Sequence, residues 1–126
     1  MNHMRKVVAV VGASNDRSKF GNRAVRAFQR QGYTVVPINP HETEVEGLKA
    51  YASVLEVPGP IDMATLYVHP EIGEKVIAEI AEKQIPEVWL NPGADSDDLI
   101  ERARALHITP IVACSIVGIG QNPYDL

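Results

Sequence analysis

Apolar and polar positions along the chain fall into two alternating kinds of block. Short, β-branched runs occur at Val7–Val11, residues 33–38, residues 61–68, Glu87–Leu90 and residues 109–113. They read as five strands, the first nearly continuous in apolar side chains and so buried on both faces. Between them the period changes to that of a helix. Residues 21–31 put Ala24, Val25, Ala27 and Phe28 on an inner side and Arg23, Arg26 and Arg30 on an outer one, with Gly32 as the stop. A second helix starts at His69-Pro70, with Ile72, Val76, Ile77 and Ile80 as its apolar stripe. Glu71 and Glu74 lie early in it and Lys83 late, as the helix dipole prefers. A third is capped by Ser96, carries Asp97 and Asp98 in its first turn and runs to about Leu106. Residues 42–57 read as irregular, with a turn at Gly47 and a short helix at 53–56, and Pro58-Gly59-Pro60 breaks what precedes it. Pro37 is unusual inside a strand and suits its end. Residues 115–126 read as an irregular tail, and Met1 to His3 as a disordered start.

Strand–helix alternation with short loops predicts an α/β fold: one domain over residues 1–126, a doubly wound, Rossmann-like, five-stranded parallel sheet. The expected strand order is 3-2-1-4-5, with a ligand crevice where the winding reverses, at the carboxyl ends of the first and fourth strands. Five loops should then face one edge of the sheet. They begin at Gly12-Ala13-Ser14, Asn39-Pro40-His41, Val68-His69-Pro70, Asn91-Pro92-Gly93 and Cys114-Ser115.

Composition narrows the setting. No apolar stretch is long enough to cross a bilayer, no charged-then-apolar signal peptide is expected, and one cysteine, Cys114, forbids an internal disulfide. A cytoplasmic protein is expected. The net charge of −4 is unevenly spread, because seven of the twelve bases and only one acid, Asp16, lie in residues 1–30. Long polyanions would be repelled over most of such a surface, which disfavours nucleic acid and favours a small polyanion near the first loop. Arg26 and Arg30 read equally well as a solvated helix face, whereas Lys19 sits inside the loop itself. Small soluble proteins often pair, so a homodimer is kept as an option.

The first loop runs Gly12-Ala13-Ser14-Asn15-Asp16-Arg17-Ser18-Lys19-Phe20-Gly21. It matches neither the dinucleotide fingerprint nor a Walker A loop. A buried strand ending in glycine and feeding a helix is nevertheless where such sheets place a diphosphate, with Gly12 letting the backbone approach it. Ser14, nearby N–H groups and Lys19 supply the matching chemistry. The acid that would accept from the ribose of NAD after the second strand is missing; Asn39 and Pro40 stand there. An extra ribose phosphate is tolerated better. His69 is explained by its strand-to-helix junction, with no carboxylate or nucleophile partner evident. Cys114 reads as a small hydrophobe and Trp89 as core. No His/Cys/Asp/Glu spacing suits a metal. The catalytic inventory is empty.

Taken in order, Val-Val-Gly-Ala-Ser (10–14), Lys19 with Gly21-Asn22, Val-Pro-Ile-Asn-Pro (36–40), Gly-Leu-Lys-Ala-Tyr (47–51), Val68 to Pro70 and Trp-Leu-Asn-Pro-Gly-Ala (89–94) carry a resemblance. Over about residues 5–115 the chain resembles the small coenzyme A-binding proteins, themselves similar to the N-terminal domain of the succinyl-CoA synthetase α subunit. The resemblance implies CoA or an acyl-CoA as ligand. The pyrophosphate would lie over Gly12, Ala13 and Ser14, near Lys19, Gly21 and Asn22. The adenosine would lie by Asn39, Pro40, Val68, His69 and Pro70, and the pantetheine arm would run towards Asn91, Pro92 and Gly93. The synthetase's phosphohistidine chemistry belongs to a second domain and is not implied. The expected function is non-catalytic CoA binding. A small NAD(P)-dependent oxidoreductase, a CoA-linked transferase and a regulatory protein-interaction module are the alternatives.

Overall fold

The computed structural model describes residues 6–126, so the expectation for Met1 to His3 lies outside it. Five strands form one all-parallel sheet: β1 (Val7–Val11), β2 (Thr34–Ile38), β5 (Met63–Leu66), β6 (Glu87–Leu90) and β7 (Ile111–Val112). The helices are α1 (Phe20–Arg30), α2 (Pro70–Lys83), α3 (Asp97–Ala105) and a short α4 (Ser115–Gly118). The α/β class and the parallel five-stranded sheet agree with the expectation.

The order of strands does not. The sheet runs β2-β1-β5-β6-β7, so the third long strand lies beside β1 rather than outside β2. The winding therefore reverses between β1 and β5, not between the first and fourth strands. Both orders obey right-handed crossovers, so that rule does not choose between them. Hydrogen bonding at β2 shows what does. Tyr51 N–H donates to the Pro37 carbonyl (3.0 Å) and Asn39 N–H donates to the Tyr51 carbonyl (2.9 Å), both along the outer edge of β2. Pro37 presents its missing donor to that same edge. A full strand there would lack a ladder bond, so β2 ends the sheet.

Each face has its own core. Val8 and Val10 of β1 pack with Ala24, Val25 and Phe28 of α1 and with Ile116 of α4. Ala9 and Val11 pack against the other face with Val76, Ile77 and Ile80 of α2 and Leu99 and Ala103 of α3. This is the period-two alternation of a strand covered on both sides.

Other differences have local causes. Residues 42–57 contain an antiparallel hairpin, β3 (Glu44–Val45) and β4 (Leu48–Lys49), besides the expected turn at Gly47 and a 3-10 helix at Val54–Glu56. Two-residue strands are too short for a period to show. The inner stripe of α2 is Gly73, Val76, Ile77 and Ile80; Ile72 is 54% exposed. A Cβ at residue 73 would come within 2.9 Å of Leu99 Cδ2, so the glycine makes room for the Leu99 side chain of α3. The last strand shrinks to Ile111–Val112, both exposed. The tail holds α4 and a 3-10 helix at Pro123–Asp125. Trp89 is half-buried and packs against the core on the α1 face: its Nε1 donates to Glu87 (2.7 Å), and Gly118 of α4 lies over its ring.

Candidate functional site

Parallel pairing throughout the sheet brings every carboxyl end to one edge, whatever the order of strands. A cavity of about 840 Å³ opens there, a size suited to a small-molecule ligand. Gly12, Ser14, Lys19 and Gly21 line it from the first loop, Val68 and His69 from the end of β5, and Asn91, Pro92 and Gly93 from the end of β6. Asn39 joins from the end of β2. Pro40 lines a second, adjoining cavity of about 470 Å³. Ala13, Asn22 and Pro70 line neither: Ala13 and Asn22 are buried beneath the loop, and Pro70 is the first residue of α2.

The first loop is held by internal bonds. Ser14 Oγ accepts from Asp16 N–H (3.0 Å), and Asp16 Oδ1 accepts from both the N–H (3.0 Å) and the hydroxyl (2.6 Å) of Ser18. The Ser18 hydroxyl, and then its N–H, hold the Asp16 carboxyl below the usual carboxylate range. The hairpin clasps the loop from outside. Asn15 Nδ2 donates to Glu42 (3.0 Å) and to the Glu44 carbonyl (2.8 Å). Asn22 Nδ2 donates to the Ser14 carbonyl (2.8 Å) and to Glu46 (3.0 Å), while its oxygen accepts from Arg26 Nε (2.7 Å). Arg26 also caps the Arg17 carbonyl (2.8 Å), and Arg17 pairs with Glu46 at 3.2 Å. Burial, then Arg17, draw the Arg26 guanidinium below its ordinary value, and it remains a cation at neutral pH. Arg26 is therefore a loop brace and not a free solvated residue.

Among the described residues Lys19 makes no hydrogen bond or ion pair through its ammonium. It occupies the N-cap of α1 in extended conformation, with no side-chain cap, at the positive end of the helix.

Three asparagines at the site are structural in their side chains. Asn22 is described above. Asn39 Nδ2 donates to the Ala13 carbonyl (2.7 Å) and its oxygen accepts from His41 N–H (2.8 Å). Asn91 Nδ2 donates to Thr65 Oγ1 (2.6 Å) and the Leu66 carbonyl (2.9 Å), and its oxygen accepts from Ser115 N–H (2.8 Å). Thr65 and Tyr67 both bond to the Ser115 hydroxyl, at 2.7 and 3.1 Å. This buried network ties β5, β6 and the start of α4 together under the cavity. Burial pushes the Tyr67 hydroxyl up to about 12, so it stays neutral there.

Several lining residues were not among the expected ones. Phe20, Tyr67, Ile72, Ala94 and Val117 join them, with Pro123 and Tyr124 from the tail, while Cys114 lines the cavity from the fifth loop expected at this edge. Tyr124 is 79% exposed and meets Phe20 edge-on at 6.3 Å, with the Arg23 guanidinium over both rings. Ile72 and Tyr67 carried a signal, being an apolar side chain in a helix's first turn and a tyrosine next to a strand end. The tail carried none, because its packing on α1 joins residues about a hundred positions apart.

Comparison with known proteins bears on this site. The family described as "CoA binding domain" matches residues 6–119. The α subunit of acetate–CoA ligase [ADP-forming] II from Pyrococcus furiosus is 40% identical over 79 residues, covering 62% of this chain and 17% of the subunit. This chain thus corresponds to about a sixth of that relative's length. Uncharacterized protein YneT of Bacillus subtilis is 32% identical over 93 residues, 74% of this chain and 69% of that one. A solved structure of a conserved hypothetical protein from Pyrococcus furiosus superimposes with a TM-score of 0.82 at 32% identity, covering 90% of this chain and 98% of that one.

Proposed function

This chain belongs to the CoA binding domain family, and from that membership we propose that it binds coenzyme A along the carboxyl edge of the sheet without performing chemistry on it. One observation carries the reading: a single cavity follows the ends of β1, β5 and β6 and holds one unpaired cation, Lys19, beside the loop after β1. Amides of Ala13 and Ser14 and the Lys19 ammonium take the pyrophosphate, which lies over Gly12, whose own N–H is held by the Ile38 carbonyl. The adenosine lies towards Asn39, Pro40 and Val68 to Pro70. The pantetheine arm passes over Asn91 to Gly93, whose backbone serves it because the Asn91 side chain is spent within the fold. Nothing in the cavity pairs a nucleophile with a base: His69 is an exposed helix cap, and Tyr67 is bonded inward. With its one cysteine, the chain suits a reducing cytoplasm.

Thermal melting with CoA, dephospho-CoA and NAD tests this. CoA at a hundred times its Kd should add about 2.7 kcal/mol of stability. Dephospho-CoA should add less and NAD least. Lys19→Ala should weaken CoA by about 1.5 kcal/mol, roughly tenfold, while melting normally without ligand. Equal shifts for all three ligands, or an unchanged affinity in the variant, would defeat the reading.

A further inference from the structure

The second cavity adjoins the first and shares Gly12, Asn39, Val68 and Ile72 with it. It lies between the end of β2 and the first turns of α2. Ile38, Val54, Val68 and Val76 give it apolar walls, which suit the faces of a base. Four charged or titratable side chains line it: Lys75 and His41 on one side of the balance, Glu56 and Glu79 on the other. Lys75 is exposed and, among the described residues, has no hydrogen bond or ion pair, although Glu79 stands one turn further along the same helix. The nearby Asn39 side chain is oriented by one bond at each end and, being uncharged, offers a phosphate no ion pair.

We infer that this cavity receives a phosphorylated ribose and that Lys75 is the residue that selects for the phosphate, an assignment that rests on the CoA reading above. A phosphate monoester attached to the sugar carries close to two negative charges, and Lys75 is the free ammonium lining the cavity. Glu79, on the same face of α2, opposes the phosphate and limits the selectivity. The two residues therefore act with opposite signs on one ligand group. A general effect on the fold or on the base pocket would not separate CoA from dephospho-CoA in that way.

The test measures Kd for CoA and for dephospho-CoA by calorimetry in the whole chain and in Lys75→Ala, Lys75→Arg and Glu79→Gln. Lys75→Ala should weaken CoA about tenfold and leave dephospho-CoA within about twofold, since dephospho-CoA lacks the charged partner. Lys75→Arg should keep the preference, and Glu79→Gln should widen it. Both positions lie on the outer part of α2, and unchanged melting without ligand checks that the three variants fold. Equal losses for both ligands in Lys75→Ala, or no change in Glu79→Gln, would overturn the assignment while leaving CoA binding intact. Failure of the unaltered chain to bind either ligand would overturn both.

Discussion

A Cβ on Gly21 would overlap the Gly12 carbonyl oxygen, and one on Gly12 would come within 2.8 Å of the Tyr67 carbonyl. At φ +90° Gly12 also occupies backbone space that favours glycine. These two residues let α1, the first loop and the end of β5 nest at backbone distance. Gly12 is therefore required by packing within the protein, not only by a ligand's approach. The consequence is testable at Gly21, where two effects compete. Alanine has the higher helix propensity, by about 1 kcal/mol. The overlap is with backbone, which cannot swing away, and overpacking of this kind costs about 1–3 kcal/mol. Gly21→Ala should lower the urea midpoint; a midpoint that rises would show that the loop has room to yield. The pair was visible in the sequence as two glycines flanking a polar loop. Its reason was not, because the obstructing carbonyls belong to residues 12 and 67.

Two elements differ in how openly the sequence declares them. α3 is announced by its cap: the Ser96 hydroxyl accepts from Leu99 N–H at 3.0 Å, and the helix begins at the next residue. Capping is a local bond between neighbours, so residue types suffice to see it. The β3–β4 hairpin has no such signal. Its importance comes from Glu46, which accepts from the buried Asn22 and pairs with Arg17. Arg17 is 65% exposed, so the ion pair contributes little. The bond to Asn22 matters more, because without it a buried amide hydrogen loses its partner. Glu46→Ala should cost about 1 kcal/mol in urea unfolding, and Glu46→Gln, which keeps an accepting oxygen, should recover most of it. Equal losses in the two variants would mean that charge, not the hydrogen bond, holds the hairpin to the loop.

At the scale of the whole molecule the sheet is graded from centre to edge. β1 is paired on both sides along its length, while β7 has two exposed residues and one neighbour. Native-state hydrogen exchange should find the slowest amides in β1 and β5 and faster ones at Ile111 and Val112. Uniform protection across the sheet would contradict that gradation. No helix among the described residues is long and apolar enough to cross a membrane. The excess of bases in residues 1–30 is partly spent inside the structure, on Asn22, Glu46 and the Arg17 carbonyl.

Periodicity and loop chemistry by themselves determined an α/β protein with a parallel sheet, and they named loops that meet at one edge. Both signals are local: a strand repeats every two residues, a helix every 3.6, and parallel pairing sends all carboxyl ends the same way. Only the tertiary structure decided which strand lies beside which. β5 crosses back over β1 because the outer edge of β2 is taken by Tyr51 and lacks the Pro37 donor. It also decided which polar side chains remain free for a ligand. Asn22, Asn39 and Asn91 look like ligands in a sequence, but each is tied within the fold by at least one partner more than twenty residues away. Lys19 and Lys75 are the reverse case: among the described residues neither ammonium makes a hydrogen bond or ion pair.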